Sequence, residues 1–183
     1  LWPRLARAGW WLAALLLALL ALLAWGPAHP AAAATSTAHT PPVRLDGTAH
    51  SLPLAQRSVA WVDRTGQLTV EQVEQQADRL PFEPRTQGQR VSLGTTGALW
   101  VRFDAWVQDP DSHWELELAR SGTDRVSVYH RRADGGWRQQ HAGDRIAVRD
   151  WPSPDRYPVF ALDPRTDAPV TYWVRIEHVR VPF

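Results

Sequence analysis

Residues 99–107, with the sequence LWVRFDAWV, form the stretch that decides the fold. Apolar side chains occupy every second position, at Leu99, Val101, Phe103, Ala105 and Val107. The positions between them carry aromatic rings and charges, at Trp100, Arg102, Asp104 and Trp106. Successive side chains of a β-strand point to opposite faces of a sheet, so this spacing predicts a strand with one face towards a core.

The same period of two recurs along the rest of the chain. It is found over residues 114–118, 125–129 and 172–177, and short strand candidates occur at 59–62 and 157–162. Turn-forming clusters separate these stretches, at residues 109–111, 121–123, 134–136, 152–154 and 163–164. Short alternating strands with regular turns predict an all-β fold, a jelly-roll β-sandwich with one apolar and one polar face per strand.

One short helix is predicted ahead of these strands. Thr69 and Gln72 fit a capping box, in which each side chain satisfies a backbone N–H of the first turn. Apolar residues three or four positions apart follow, at Val70, Val73 and Ala77. The helix is expected to end before Pro81, because proline cannot continue it.

The first 34 residues have the composition of an export signal. Arg4 and Arg7 precede an unbroken run of Trp, Leu and Ala over 10–25, and prolines and small alanines follow. The run has 16 residues, fewer than the ~20 that span a bilayer, so a signal peptide is favoured and a retained anchor is the alternative. Residues 35–54 are expected to be a flexible linker, and residues 55–183 an exported sensory domain.

The composition excludes several classes of protein. There is no cysteine, which excludes disulfide scaffolds, cysteine zinc sites and thiol nucleophiles. The 20 basic residues, all arginine, nearly balance 19 acidic ones without forming a basic stripe, so nucleic acid is not an expected partner. Histidines lack metal-ligand spacing and no Gly-x-Ser-x-Gly occurs, so no metal, cofactor or catalytic residue is predicted. The lack of methionine and a strand-like final stretch suggest a fragment of a longer protein.

An ordered series of short motifs resembles a known family. The series runs through Trp61-Val62-Asp63 with Gly66, residues 81–84, Leu93-Gly94, residues 99–103, 115–118 and 124–129, Gly143-Asp144-Arg145 with Arg149, and residues 158–162 and 172–176. It is similar to the second type of extracellular domain carried by seven-transmembrane receptors with diverse intracellular signalling modules. The similarity covers about residues 55–183.

The resemblance implies a jelly-roll sandwich similar to carbohydrate-binding modules, on the periplasmic side of a bacterial inner membrane. It implies a ligand-sensing domain rather than an enzyme, with membrane helices and a histidine kinase or diguanylate cyclase output that these residues lack. The expected partners are a small molecule or carbohydrate, the membrane through those missing helices, and a second copy of the chain in a homodimer. A free periplasmic carbohydrate-binding module is the alternative.

The polar face of the strands supplies the candidate ligand-binding residues. Aromatic rings can stack on apolar sugar faces while charged groups bind hydroxyls. The candidates on this face are Trp100, Arg102, Trp106, Tyr129, Trp173 and Arg175. The alternative is cross-strand stabilisation, in which Arg102 and Arg175 pair with acids or stack on a neighbouring tryptophan.

Loops and one acidic pair supply the remaining candidates. Trp151 lies in a long proline-rich loop over 149–158, where it either binds a ligand or plugs the end of the sandwich, and the same alternatives apply to Trp137. Glu115 and Glu117 have a spacing that glycoside hydrolases use, although an ordinary strand explains it as well. An enzyme acting on glycans is therefore a weaker third option.

Overall fold

The computed structural model describes residues 40–109, 111–120, 122–163 and 167–179, with backbone alone at 178 and 179. All of them belong to one unit, Ser36–Phe183. The predicted signal peptide, the start of the predicted linker and the last four residues lie outside the described residues. The turn positions Pro110, Ser121 and Pro164 lie outside them too.

Nine strands and one α-helix make up the described fold. In chain order they are β1 (Val43–Leu45), β2 (Val59–Asp63), α1 (Val70–Gln75), β3 (Glu83–Pro84), β4 (Ala98–Val107), β5 (Glu115–Glu117), β6 (Thr123–Arg131), β7 (Trp137–Ala142), β8 (Val159–Ala161) and β9 (Val170–Val179). A short 3₁₀ turn, Val148–Asp150, precedes β8. The predicted all-β sandwich is confirmed.

Seven strands form the large sheet and two form the small one. The order in the large sheet is β3-β2-β4-β9-β6-β7, and β5 pairs with β8 in the small sheet. β2 pairs with the first half of β4 and β1 with its last three residues, while β9 pairs along the other side of β4. The β1–β4 pair is parallel and the remaining pairs are antiparallel.

The alternation along β4 and β9 creates two cores, one on each face of the large sheet. The inner core lies against the small sheet and includes Leu99, Phe103, Val128, Phe160 and Ile176. The helix-side core lies beneath α1 and consists of Val59, Val70, Val73, Ala77, Phe82, Trp100 and Trp173. Both faces of the central strands are therefore buried, whereas the alternation predicts one solvated face.

The capping box at the start of α1 is confirmed. The Thr69 backbone N–H donates to the Gln72 Oε1 at 2.9 Å, and the Gln72 N–H donates to the Thr69 hydroxyl. The helix ends at Gln75, before Pro81 as predicted, and Ala77 lies beyond its end. The Ala77 N–H donates to the Glu74 carbonyl three residues back, so the last turn tightens instead of continuing towards Pro81.

Three strands were not expected from the sequence: β1, β7 and the two-residue β3, which pairs with β2. Residues 43–45, inside the expected linker, instead form β1, because Val43 and Leu45 alternate with Arg44 and bury their side chains in the inner core. Residues 137–142 form β7, a mostly polar strand with the sequence WRQQHA at the edge of the described sheet, next to β6. The sequence of β7 lacks hydrophobic alternation, and its backbone hydrogen bonds to β6 hold it as a strand instead.

Candidate ligand cavity

The structure places the predicted binding tryptophans of the large sheet in a core. The side chains of Trp100 and Trp173 are 0% and 2% exposed. The Phe82 ring lies 5.9 Å from that of Trp173, and Tyr129 lies 6.1 Å from Trp100. The expected exposure of both tryptophans is wrong, because α1 and the segment around Phe82 cover the face to which they point.

The arginines of the same face are held by neighbours within the protein. The Arg102 guanidinium lies 5.3 Å from the ring centre of Trp173, which is its direct cross-strand partner. Arg175 donates to the Gly66 carbonyl at 2.7 Å and forms a 2.9 Å ion pair with Glu177. The stacking of Arg102 on Trp173 is the contact that the cross-strand interpretation requires. Arg175 likewise lies over its cross-strand partner Trp100, whereas Glu177 is on the same strand as Arg175.

The other predicted binding residues are dispersed and partly buried. Trp106 lies beneath the Arg44 guanidinium, and Tyr129 packs edge-on against Trp137. The indole N–H of Trp151 donates to the Ile146 carbonyl, and its ring packs on the inner core, as a plug for the end of the sandwich would. The structure does not bring these residues together into one surface.

A large open cavity lies between the two sheets instead. Its volume is about 820 Å³, within the size range of small-molecule sites. The cavity exists because the two short strands of the small sheet cover only part of the seven-stranded sheet. The segments over residues 50–55 and 85–88 line the gap that remains.

The walls of the cavity are apolar, and its mouth is polar. On the large sheet, the cavity is lined by Val101, which is partly exposed, and backed by the buried side chains of Phe103, Val126, Val174 and Ile176. Phe160 and Leu116 face them from the small sheet. Exposed polar residues also line the cavity, and these are His50, Ser51, Thr86, Gln87, His113, Glu115, Glu117 and Asp155.

Arg85 is the one arginine among the described residues that line this cavity. Its backbone N–H donates to the Ser58 carbonyl, and its carbonyl accepts from the Gln56 N–H, so two main-chain bonds fix its position. Its Nη1 is buried and has no hydrogen-bond partner. Burial lowers the pKa of this guanidinium from its ordinary value, since the charge is partly removed from water.

Sequence reasoning missed the cavity and Arg85. Residues 85–97 carry no strand or helix and no period, so hydrophobic spacing gives no reason to single out Arg85. The proline-rich motif before it, residues 81–84, belongs to the series that carried the family resemblance. That neighbouring motif is the one signal that could have directed attention to this loop.

The described residues offer neither a metal site nor a membrane span. Over the ranges given above, no group of three or more His, Asp and Glu side chains is arranged to hold a metal ion. In the same ranges no helix is long and apolar enough to cross a membrane.

A buried histidine in the inner core makes stability depend on pH. His130 is 0% exposed, and its Nε2 lies 3.2 Å from an Asp163 oxygen. Burial lowers the pKa of His130 below its ordinary 6.5, against the opposing effect of Asp163, and burial also lowers the pKa of His141. Below pH 6.5 the unfolded chain therefore binds more protons than the folded one.

We accordingly expect the melting temperature to be highest above pH 6.5 and to fall as the pH drops through 6 towards the folded-state pKa. Thermal unfolding followed by circular dichroism between pH 7.5 and 5 measures this. The variant His130→Gln should reduce the dependence and leave the part due to His141. His113→Gln, at an exposed position, controls for loss of an imidazole. A melting temperature that rises on acidification would contradict the burial of neutral histidine.

Two comparisons with known proteins complete the description. No curated protein matches the chain. The profile of the family described as 7TMR-DISM extracellular 2 matches residues 55–180, well over half of the sequence. The matched range runs from the loop before β2 through the whole of β9, so it contains the small sheet, all of the large sheet except β1, and most of the residues that line the cavity. The chain therefore belongs to the 7TMR-DISM extracellular 2 family.

Proposed function

We propose that this domain senses a small molecule, which binds in the cavity between its two sheets. The family consists of extracellular sensor domains of membrane receptors, and it is a sensory family rather than a catalytic one. The observation that carries the proposal is an open cavity of about 820 Å³ with apolar walls and a polar mouth. Ligand sites in proteins commonly combine these features.

The position of β9 favours a role for the cavity in signalling. β9 is the central strand between β4 and β6, and its Val174 and Ile176 line the cavity. Its Trp173 and Arg175 point to the opposite face, where they contact the helix-side core and the Gly66 carbonyl. A ligand that prefers one arrangement of β9 would shift the population of that arrangement, by its differential affinity for the two states.

In this proposal the domain is exported by the N-terminal segment and works on the periplasmic side of the inner membrane. The change at β9 passes to membrane helices that follow the domain, and from them to a histidine kinase or diguanylate cyclase type of output. A homodimer would let two domains act on paired helices. The ligand is a small molecule or a carbohydrate, and the experiment below separates the two.

Thermal shifts with wall variants test the cavity. The protein is melted with a panel containing glucose, N-acetylglucosamine, leucine and octanoate, at millimolar concentrations. Val101→Trp places a large ring in the cavity from the large sheet, and Leu116→Trp does so from the small sheet. Val148→Trp makes the same change as Val101→Trp at a side chain that is 51% exposed, outside the cavity.

We expect at least one compound to raise the melting temperature of the wild type and of Val148→Trp. The same compound should lose its effect on the two wall variants, because the introduced rings occupy its site. Circular dichroism confirms that each variant is folded, and two walls are used in case one variant is not. Equal shifts in all four proteins, or no shift with any compound, would contradict the proposal.

A further inference from the structure

The Arg85 guanidinium forms no ion pair within the part of the chain that the structure describes. Its Nη1 is buried and unpartnered, and its Nη2 has one long contact, 3.5 Å to the Gln89 carbonyl. Ion pairs are formed by several other arginines of the described chain, but none by Arg85. A buried donor without a partner costs about 1–3 kcal/mol, and more when it is charged, so such a group calls for an explanation.

Arg175 has a structural role, and its contacts provide a comparison for those of Arg85. It is partly buried like Arg85, and it has both a carboxylate partner in Glu177 and a carbonyl acceptor in Gly66. Arg85 lacks a carboxylate partner, and it differs from Arg175 in lining the open cavity. The missing partner of Arg85 is therefore best supplied by a molecule that enters that cavity.

We infer that Arg85 binds the carboxylate of a ligand whose apolar body lies against the aliphatic wall of the cavity. This inference rests on the proposed function and names the ligand class for the same site. A guanidinium presents a planar pair of donors that matches the two oxygens of a carboxylate. Val101, Leu54 and Leu116, which line the cavity and are partly exposed, provide the wall for the apolar body.

The charges around the cavity favour an anion with a single negative charge. Arg85 is the one arginine among the described residues that line the cavity. On β5, Leu116 faces the cavity, so the exposed side chains of Glu115 and Glu117 point to the other face, where solvent screens them. One guanidinium offers one positive charge, which matches a medium-chain or aromatic monocarboxylate.

Calorimetric titration with octanoate and with 1-octanol tests the inference. The two probes share an eight-carbon body, and only octanoate carries the charge. Arg85→Met removes the charge and keeps much of the volume, whereas Arg85→Lys keeps the charge and loses the planar fork. Arg90→Met is the matched control, since Arg90 is exposed and does not line the cavity.

We expect octanoate to bind the wild type and Arg90→Met, and to bind Arg85→Met about 10- to 100-fold more weakly, as loss of a charged hydrogen bond implies. Arg85→Lys should bind octanoate with intermediate affinity, and 1-octanol should bind the wild type and Arg85→Met equally. Octanoate that binds the wild type and Arg85→Met equally would overturn the role of Arg85. If octanoate fails to bind the folded protein while another compound binds inside the cavity, the carboxylate inference fails and the proposed function stands.

Discussion

Replacing Trp100 with alanine is expected to lower the free energy of unfolding by about 3–5 kcal/mol, the usual cost of deleting a buried tryptophan side chain. The ring is 0% exposed in the helix-side core. The substitution leaves a void between β4 and α1 and removes the ring over which the Arg175 guanidinium lies, at 5.8 Å. The Trp100 indole N–H is buried without a hydrogen-bond partner, which is unfavourable in the wild type. Its removal therefore offsets part of the stability lost with the ring.

Trp106→Ala is the matched control for Trp100→Ala. Both tryptophans lie on β4 and point to the same face, six residues apart, but Trp106 is only partly buried. We expect Trp106→Ala to cost about 1 kcal/mol, since less apolar surface returns to water. Urea unfolding followed by circular dichroism measures both, without relying on fluorescence that the substitutions change. Equal losses in the two variants would contradict the burial of Trp100 beneath α1.

Replacing Gly66 with alanine is expected to cost about 3–4 kcal/mol, because a backbone clash and a strained backbone conformation act together. Gly66 has a φ of +63°, and an added Cβ would clash with the Thr96 carbonyl oxygen. That oxygen belongs to backbone, so relief requires the turn to move. The Gly66 carbonyl accepts from Arg175, so a displaced turn also loses this contact between the turn and β9.

Gly88→Ala separates the clash from the backbone conformation. Gly88 has a φ of +77°, close to that of Gly66, and nothing lies within 4 Å of a Cβ placed there. We expect a cost of about 1 kcal/mol, from the left-handed conformation alone. Thermal and urea unfolding of the two variants give the comparison. A Gly66→Ala protein as stable as Gly88→Ala would show that the turn does not approach Thr96 in this way.

The local elements of this fold follow from the sequence because their causes are local. The alternation over 99–107 predicts β4 and the face that each side chain takes. The pair Thr69 and Gln72 predicts the start of α1, since a capping box needs only residues three positions apart. β7 could not be found in the same way, because its backbone pairing with β6 forms it and not its side-chain period.

The environment of each face could not be predicted, because it depends on which distant segment covers it. Trp100 and Arg102 belong to one alternation, yet α1 buries the first and leaves the second partly exposed. The period of two predicts which side chains share a face, but it does not predict whether that face is exposed to solvent. For this reason most of the binding residues predicted from the sequence lie on the helix-side face of the large sheet, which α1 covers.

The cavity depends on a difference in size between two sheets, which is a property of the whole topology. The large sheet has seven strands and the small sheet has two, and the loops around residues 50–55 and 85–88 do not fill the gap between them. Arg85 lies in a stretch without period, and its significance appears only when its missing partner and the open cavity are seen together. Unsatisfied buried charge is a structural observation that no spacing rule supplies.

The most direct test of ligand uptake between the sheets uses the two isoleucines of the chain, Ile146 and Ile176. Ile176 lines the cavity and Ile146 does not. Selective ¹³C labelling of isoleucine methyl groups gives one signal inside the site and one outside it in a single NMR spectrum. During titration with the panel compound that raises the melting temperature of the wild type most, we predict a saturable shift of the Ile176 methyl signal with the Ile146 signal unchanged. A shift of Ile146 alone, or no shift of Ile176 at saturation, would contradict a ligand site between the two sheets.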